Sequence, residues 1–369
     1  MVLYLGRDKH GKKRYKWIHG FESEKIAERA LTDMLHKRDT GMWTDPTKIT
    51  VEQYLEKWLE DYCLYRLGPQ TYQGYKNIIN GHLAPKLGSI LLINLQPMHV
   101  QSYYSEQLKK GRLDGKGGLS PTTVKQHHAV IHKALRQAVK WQLVPRNIAD
   151  AVDPPSKGKY EHATLSSEQV LQLLDRVEGT PIYLPVAIAV YTGLRLGEVC
   201  GIRWKDVDLS GGALSIRQTI IRTENGLETD EPRKGRSKRV VRMSPDLVEI
   251  FRHAKKDQAR QRLLMGEHWQ DHGLVCCRED GRPVNPSTLS KRFGEAVANI
   301  EDFPHVRFHD LRHTHATLLL KAGVHLKKVS ERLGHATIVI TGDTYSTVTP
   351  DMQKEVADKF DELLGKKPS

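Results

Sequence analysis

The amino-acid sequence predicts a multidomain, mainly α protein: a small α+β module at the N-terminus, an all-helical domain, and a mixed α/β domain that is mostly helical. Three observations lead there. At 369 residues the chain is too long for one ordinary core and suits two or three domains. The spacing of apolar residues changes from strand-like to helical soon after residue 20. The stretch Asp153-Pro154-Pro155-Ser156-Lys157-Gly158-Lys159 joins turn residues to charge without periodicity, as an exposed interdomain linker does.

Residues 2–19 hold two short strand patterns, VLYLGRD and KRYKWIH, joined in a hairpin-like way through His10-Gly11-Lys12. From Ser23 to Lys37, Ile26, Ala30, Leu31 and Met34 recur at helical spacing, so a strand-strand-helix module spans residues 1–43. After the break at Asp45-Pro46-Thr47, Thr50 is the expected N-cap of a helix with Val51, Tyr54, Leu55, Trp58, Leu59 and Tyr62 on one face. Tyr72, Tyr75, Ile78 and Ile79 mark a second helix, and Val100, Tyr103, Tyr104 and Leu108 a third. Val124, His128, Ile131, Leu135 and Ala138 mark a fourth, making residues 49–150 the helical domain. From Leu165 the pattern predicts helices around 166–178, 182–191 and 195–202, strands in GALSIRQTII and KRVVRM, and helices to the end. The last, in residues 351–369, carries a stripe of Met352, Val356, Phe360 and Leu363.

Composition narrows the function. Lys and Arg number 57 against 44 Asp and Glu, a net charge of +13, which points to a polyanionic partner and first of all nucleic acid. The longest apolar run, IYLPVAIAVYTGL, is shorter than the roughly 20 residues that cross a bilayer, so no membrane span is expected. The N-terminus turns charged too early for a signal peptide. Cysteines 63, 200, 276 and 277 have neither metal-ligand spacing nor disulfide-rich density, which fits a reducing cytoplasm.

Chemistry concentrates in five segments of the third domain: Thr192-Gly193-Leu194-Arg195-Leu196-Gly197-Glu198, Arg233-Lys234-Gly235, His309-Asp310-Leu311-Arg312-His313, Leu333-Gly334-His335 and Asp343-Thr344-Tyr345. Arg195 and Glu198 lie three apart, so they share a face in a first helical turn; in isolation this reads as a surface salt bridge. At 100° per residue Leu311, His315, Leu318 and Ala322 share one helical face, with His309, Arg312 and His313 opposite. A His and an Arg three apart in a first turn suit a phosphate, because the helix start adds backbone N–H donors. His315, on the apolar side, reads as a satisfied core histidine. The His309 and His313 spacing can hold zinc on a helix, but Asp310 stands where a zinc-protease helix has Glu, and no metal is expected.

In this order and spacing the five segments closely resemble the tyrosine recombinase family of phage and mobile-element integrases. The family pattern of Arg, Lys, His-x-x-Arg, His or Trp, then Tyr falls on Arg195, Lys234, His309 with Arg312, His335 and Tyr345. Around these, LSSEQV, YTGLRLGEVCGIRW, FHDLRHTHATLLLKAG and ERLGHATIVITGDTYSTVTP are similar to family segments almost throughout, so the resemblance covers residues 160–350 densely.

The resemblance implies that Tyr345 attacks a DNA phosphodiester, forming a 3′-phosphotyrosyl bond and releasing a 5′-hydroxyl. Arg195 and Arg312 would then bind the non-bridging oxygens as forked, permanently charged donors. His335 adds a donor, His309 serves as acid–base group, Lys234 protonates the leaving oxygen, and Glu198 orients its neighbours. Lys238 is the rival of Lys234, since both stand in one basic turn between two strands. No cofactor is implied.

Residues 49–150 resemble the family's core-binding domain, residues 1–43 its arm-binding module, and residues 351–369 the helix that docks on a neighbouring subunit. Arg7, Lys12, Lys13, Arg14 and Lys16, with Lys9, make the first hairpin a basic surface; its plain reading is a solvated face. Two strands are legible where the family's module has three, and an earlier start would supply the third. The implied partners are double-stranded DNA at attachment sites and three further copies in a tetramer, in a bacterial cytoplasm or nucleoid. A directionality factor and a DNA-bending protein stay open. Competing readings are a relaxing topoisomerase, a chromosome-resolution recombinase and a non-enzymatic DNA-binding protein.

Overall fold

The computed structural model describes residues 2–7, 12–17, 23–24, 28, 31–32, 49–156, 163–224, 226–230 and 239–334. The chain divides into two compact units, residues 1–159 and 160–369. Lys234, Lys238, His335, Tyr345 and the stripe in 351–369 lie outside the described residues.

The first unit opens with strands β1 (Val2–Arg7) and β2 (Lys13–Trp17), paired antiparallel with Val2 opposite Trp17 and a register shift between Tyr4 and Arg7. Of the helix expected after them, Glu24, Glu28, Leu31 and Thr32 are helical and the rest lies outside the described residues.

Helix α1 (Val51–Trp58) starts where the sequence places it, because the Thr50 hydroxyl accepts from Gln53 N while the Gln53 amide accepts from Thr50 N. It runs on through a π-helical turn, Leu59–Cys63, into Leu64–Arg66. Helix α2 (Pro69–Ile78) does the same through Ile79–Leu83 into Ala84–Leu87. Helices α3 (Pro97–Lys110) and α4 (Pro121–Lys140) complete a bundle around Tyr54, Trp58, Ile79, Leu83, Tyr104 and Ile131. Leu108, expected in the core, is exposed. Gln107 is buried instead, because its side-chain oxygen meets His82 Nδ1 at 2.9 Å and its carbonyl accepts from Leu119 N.

In the second unit the central element is α6 (Tyr183–Thr192), apolar all round and packed by α5 (Ser167–Val177), α8 (Pro245–Met265) and α10 (Asp310–Lys321). Between them run α7 (Leu196–Cys200), strands β3 (Val207–Asp208), β4 (Ala213–Ile216), β5 (Thr219–Thr223), β6 (Gly226–Asp230) and β7 (Arg239–Arg242). Helices α9 (Pro286–Ala298) and α11 (Leu326–Leu333) finish the described part.

GALSIRQTII, read as one strand, is two: β4 joins a three-stranded sheet ordered β3-β4-β7, and β5 forms a separate hairpin with β6. The break falls at Arg217-Gln218, where the buried Gln218 amide donates to the Gly201 carbonyl at 3.0 Å and turns the chain against α7. Close approach is possible because Gly197 lacks a Cβ; one placed there would collide with Thr219 Oγ1 and stand 2.8 Å from the Ile220 carbonyl.

Helix α10 corrects the two-faced scheme drawn from the sequence. His309 precedes the helix as its N-cap, and every residue from Asp310 to Ala316 is buried. The cause is that α10 is packed by both α6 and α11, so its polar face is enclosed too. Ala322, expected on the apolar face, is exposed past the helix end.

Candidate active site

Arg195 stands at the N-cap of α7, and the Glu198 carboxylate accepts its backbone N–H at 3.0 Å and its Nη1 at 3.1 Å. The pair that in isolation reads as a surface salt bridge is therefore part of something larger. Arg239, at the start of β7, donates Nη1 and Nη2 to the same carboxylate at 3.1 and 2.9 Å. The Glu198 side chain is 7% exposed and that of Arg195 40%, so one buried anion presents an arginine that is open to solvent. Burial acts to raise the Glu198 pKa, but the hydrogen bonds and charges of Arg239 and Arg195 outweigh it and hold the carboxyl below its ordinary value. Glu198 stays ionised.

Arg312 is 3% exposed and points its fork at main chain: Nη1 donates to Gly193 O at 2.7 Å and Nη2 to Leu333 O at 2.8 Å. It thus joins the segment before Arg195 to the segment before His335. Two glycines make this possible. Gly193 and Gly334 end α6 and α11 with φ of +68° each, the left-handed region that disfavours a side chain. A Cβ on Gly193 would lie 2.5 Å from Leu333 Cδ2, and one on Gly334 would lie 2.8 Å from Arg239 Nη1.

The last turn of α11 accounts for all its carbonyls. A helix leaves its final four C=O groups without internal partners. Here Gly334 N–H bonds toward Ser330 and Glu331, Arg239 Nε donates to Arg332 O at 2.9 Å, and Arg312 donates to Leu333 O. Two guanidinium groups at the negative end of a helix dipole are favourably placed.

His309 sits at the rim with much of its surface open, its ring edge-on to His313 at 5.2 Å between centroids. The protein packed around the rest of the ring, and then the Arg312 cation, lower its pKa, so its neutral form dominates near pH 7. His315 is the core histidine the sequence suggests: its Nδ1 meets Val190 O at 2.8 Å and its Nε2 accepts from Arg332 Nε at 3.0 Å. Thr314 Oγ1 accepts from Leu165 N, fastening the LSSEQV segment to α10.

Of the expected site residues, Glu198 is bonded to Arg195, Arg312 is bonded to the main chain two residues before Arg195, and the His309 ring lies against His313; Lys234, His335 and Tyr345 are outside the described residues, as are the side chains of Arg7, Arg14 and Lys16. Lys12 and Lys13 are exposed beside and on β2. Sequence reasoning missed the partnership of Arg239 with Glu198, and the part played by Arg332. Neither has a local signal in the sequence, because Arg239 lies 41 residues from Glu198 and Arg332 lies 141 from Tyr191. No group of three or more His, Cys, Asp or Glu among the described residues is arranged to hold a metal ion, and no helix among them is long and apolar enough to cross a membrane.

Comparison with known proteins agrees with this arrangement. Residues 163–352, more than half the chain, match the phage integrase family; residues 50–108 match its N-terminal SAM-like domain and residues 1–38 an arm DNA-binding domain. The chain is 26% identical to a protein of Caldanaerobacter subterraneus named "Tyrosine recombinase XerC-like", over 99% of this chain and 96% of that one. It is also 26% identical to the integrase of Mycobacterium phage D29, over 96% and 92%. Among solved structures, the Tn1549 transposon integrase in complex with a circular intermediate DNA shares the fold with a TM-score of 0.69 at 21% identity, over 85% of this chain and 99% of that one. A lambda integrase dimer bound to a core site does so with a TM-score of 0.60 at 17% identity, over 92% and 91%. With a family match that runs through every motif segment around the Glu198 and Arg312 bonds, the chain belongs to the phage integrase family of tyrosine recombinases.

Proposed function

We propose that Tyr345 is the nucleophile that cuts and rejoins duplex DNA at the attachment sites of a phage or mobile element. Its phenolic oxygen attacks the scissile phosphorus, a 3′-phosphotyrosyl bond forms, and the bond to the 5′-oxygen breaks. The observation that carries this reading is the pairing of Glu198 with Arg195 and Arg239, which presents a permanent cation to solvent next to the N-terminal end of α10. Arg195 and Arg312 are assigned to the non-bridging oxygens, and His335 adds a donor. His309, neutral at physiological pH, takes the tyrosine proton, Lys234 protonates the leaving 5′-oxygen, and Glu198 positions the arginines. The transesterification keeps the phosphodiester's energy in the new bond, so it requires no nucleotide cofactor.

Residues 1–43 are assigned to arm-type DNA sites and residues 49–150 to the core site, with 160–350 carrying the chemistry; the first two assignments are supported by the family matches. The working form on DNA is a homotetramer in the bacterial cytoplasm or nucleoid, in which residues 351–369 of each copy dock on a neighbour. A lambda integrase tetramer bound to a Holliday junction is among the chains that share this fold. A directionality factor and a DNA-bending protein are candidate further partners.

The test is a nicked suicide substrate on a denaturing gel. Tyr345→Phe should bind the site and form no covalent adduct, because only one oxygen is removed; an adduct in the Phe variant would mean that another residue is the nucleophile.

A further inference from the structure

Arg332 is a half-buried cation with neutral partners. Its Nε donates to His315 Nε2 at 3.0 Å, its Nη2 to Tyr191 O at 3.0 Å and its Nη1 to Arg242 O at 3.1 Å. Among the described residues no carboxylate pairs with it. Burial, then the neighbouring Arg239 cation, lower its pKa, both signs of an unfavourable environment for charge. An apolar side chain of similar length would avoid that cost but leave three acceptors without their donor. A stability role alone does not explain why a guanidinium is kept there.

Its partners do. Tyr191 O lies at the end of α6, four residues before Arg195, and Arg242 O lies at the end of β7, which Arg239 begins. Arg332 itself occupies the last turn of α11, one residue before the Leu333 carbonyl that Arg312 grips and three before His335. A single side chain therefore ties the turn leading into His335 to the elements that carry Arg195 and Arg239. His315 sets the direction of that side chain. Val190 O can only accept, so Nδ1 of His315 carries the proton and Nε2 is left as the acceptor that Arg332 Nε requires. Arg239 and Arg332 divide the work: one binds the main chain of the α11 terminus, and the other reaches from that terminus to the facing elements.

We infer that Arg332, aimed by His315, is a positioning residue for strand cleavage: it fixes the turn that delivers His335 to the phosphate beside Arg195. This rests on the proposed assignment of His335 and Tyr345, and the experiment separates the two.

Rates of covalent adduct formation on a suicide substrate would be measured with the full chain under single-turnover conditions for wild type, Arg332→Met, His335→Ala and the double variant, with site binding measured in parallel. Arg332→Met should lose about tenfold to a hundredfold in cleavage rate while DNA binding changes by less than about threefold, as befits loss of three charge-assisted hydrogen bonds that act on the site only through the turn they hold. The double variant should cleave no more slowly than His335→Ala, because a positioning residue has nothing left to position. Losses that multiply, or Arg332→Met at the wild-type rate, overturn the inference. Should Arg332→Met fail to fold, the His315 pair decides. His315→Gln offers an acceptor where Nε2 stood and should retain most of the rate; His315→Asn offers a polar group at the Nδ1 position only and should match the expected loss. Equal rates in these two variants count against the inference. If Tyr345→Phe still forms adduct, the site assignment itself fails, whatever Arg332 does.

Discussion

The Glu198 carboxylate and the Arg239 guanidinium meet two on two, Nη1 to Oε1 at 3.1 Å and Nη2 to Oε2 at 2.9 Å. Both side chains are nearly closed to water, with exposures of 7% and 10%. Glu198→Gln keeps the shape but leaves Arg239 facing a neutral amide. It should lower stability by about 3 kcal/mol, in the range for breaking a buried pair. Cleavage should fall about tenfold or more, since one charge-assisted bond to Arg195 goes with it. Urea unfolding and suicide-substrate rates check this; a variant with wild-type values in both would show that the pair is dispensable.

Gly193 and Gly179 separate two costs of a side chain. Both have positive φ, +68° and +70°, but a Cβ at Gly179 meets nothing within 4 Å while one at Gly193 strikes Leu333 and His315. Gly179→Ala should cost about 1–2 kcal/mol from backbone strain alone. Gly193→Ala adds overpacking and should cost about 3–5 kcal/mol. Equal losses in thermal or urea unfolding would mean that the neighbours of Gly193 yield freely.

His127 makes the helical domain acid-sensitive. It is 1% exposed, its Nδ1 lies 2.7 Å from the Tyr103 hydroxyl, and its ring lies 4.7 Å from the His82 ring; burial first, and His82 second, push its pKa down to about 4. A histidine in the unfolded chain titrates near 6.5, so on acidification the unfolded state takes up the proton first. Stability contributed by the neutral ring is present above pH 6.5 and lost as pH falls toward 4, by about 2 kcal/mol at pH 5. His127→Gln cannot titrate, so its unfolding midpoint should fall less between pH 7.5 and 5 than that of wild type. A fall as steep as in wild type would place the acid sensitivity elsewhere.

Lys234 and Lys238 are separated by the leaving group. Lys234→Ala should cleave a normal phosphodiester poorly and recover on a 5′-bridging phosphorothiolate, whose sulfur departs without a proton. Recovery of Lys238→Ala in its place would move the general-acid role to that residue.

What the sequence made legible was local. Thr50 is legible as an N-cap because the residues it caps follow it directly, and the helix at 182–191 is legible from its own apolar run. The motif spacing marked Arg195, Glu198, His309 and Arg312, whose roles await the experiments above. Periodicity was silent on partners far along the chain. Nothing around residue 198 points to residue 239, and nothing around residue 312 says that its guanidinium will grip the carbonyls of Gly193 and Leu333 rather than face outward. The swap of Leu108 for Gln107 in the helical core has the same origin: a polar side chain becomes a core residue when a distant His82 satisfies it. GALSIRQTII broke in two for a reason equally remote, the Gly201 carbonyl that claims Gln218.

The bonds gathered on the last turn of α11 reach back 93 residues to Arg239 and 141 from Arg332 to Tyr191, and Arg312, which also holds that turn, spans 119 residues to Gly193. Contacts of that separation form late, because long loops must close before the contacts repay the lost chain entropy. During synthesis the chain reaches residue 195 long before residue 333 leaves the ribosome, so Arg195 is made well before the clamp that aligns it. A nascent or prematurely ended chain lacks the last turn of α11, and with it the bonds that tie Arg239, Arg312 and Arg332 to it. The bonded cluster around Arg195 is thus completed only when nearly the whole unit has been translated and closed.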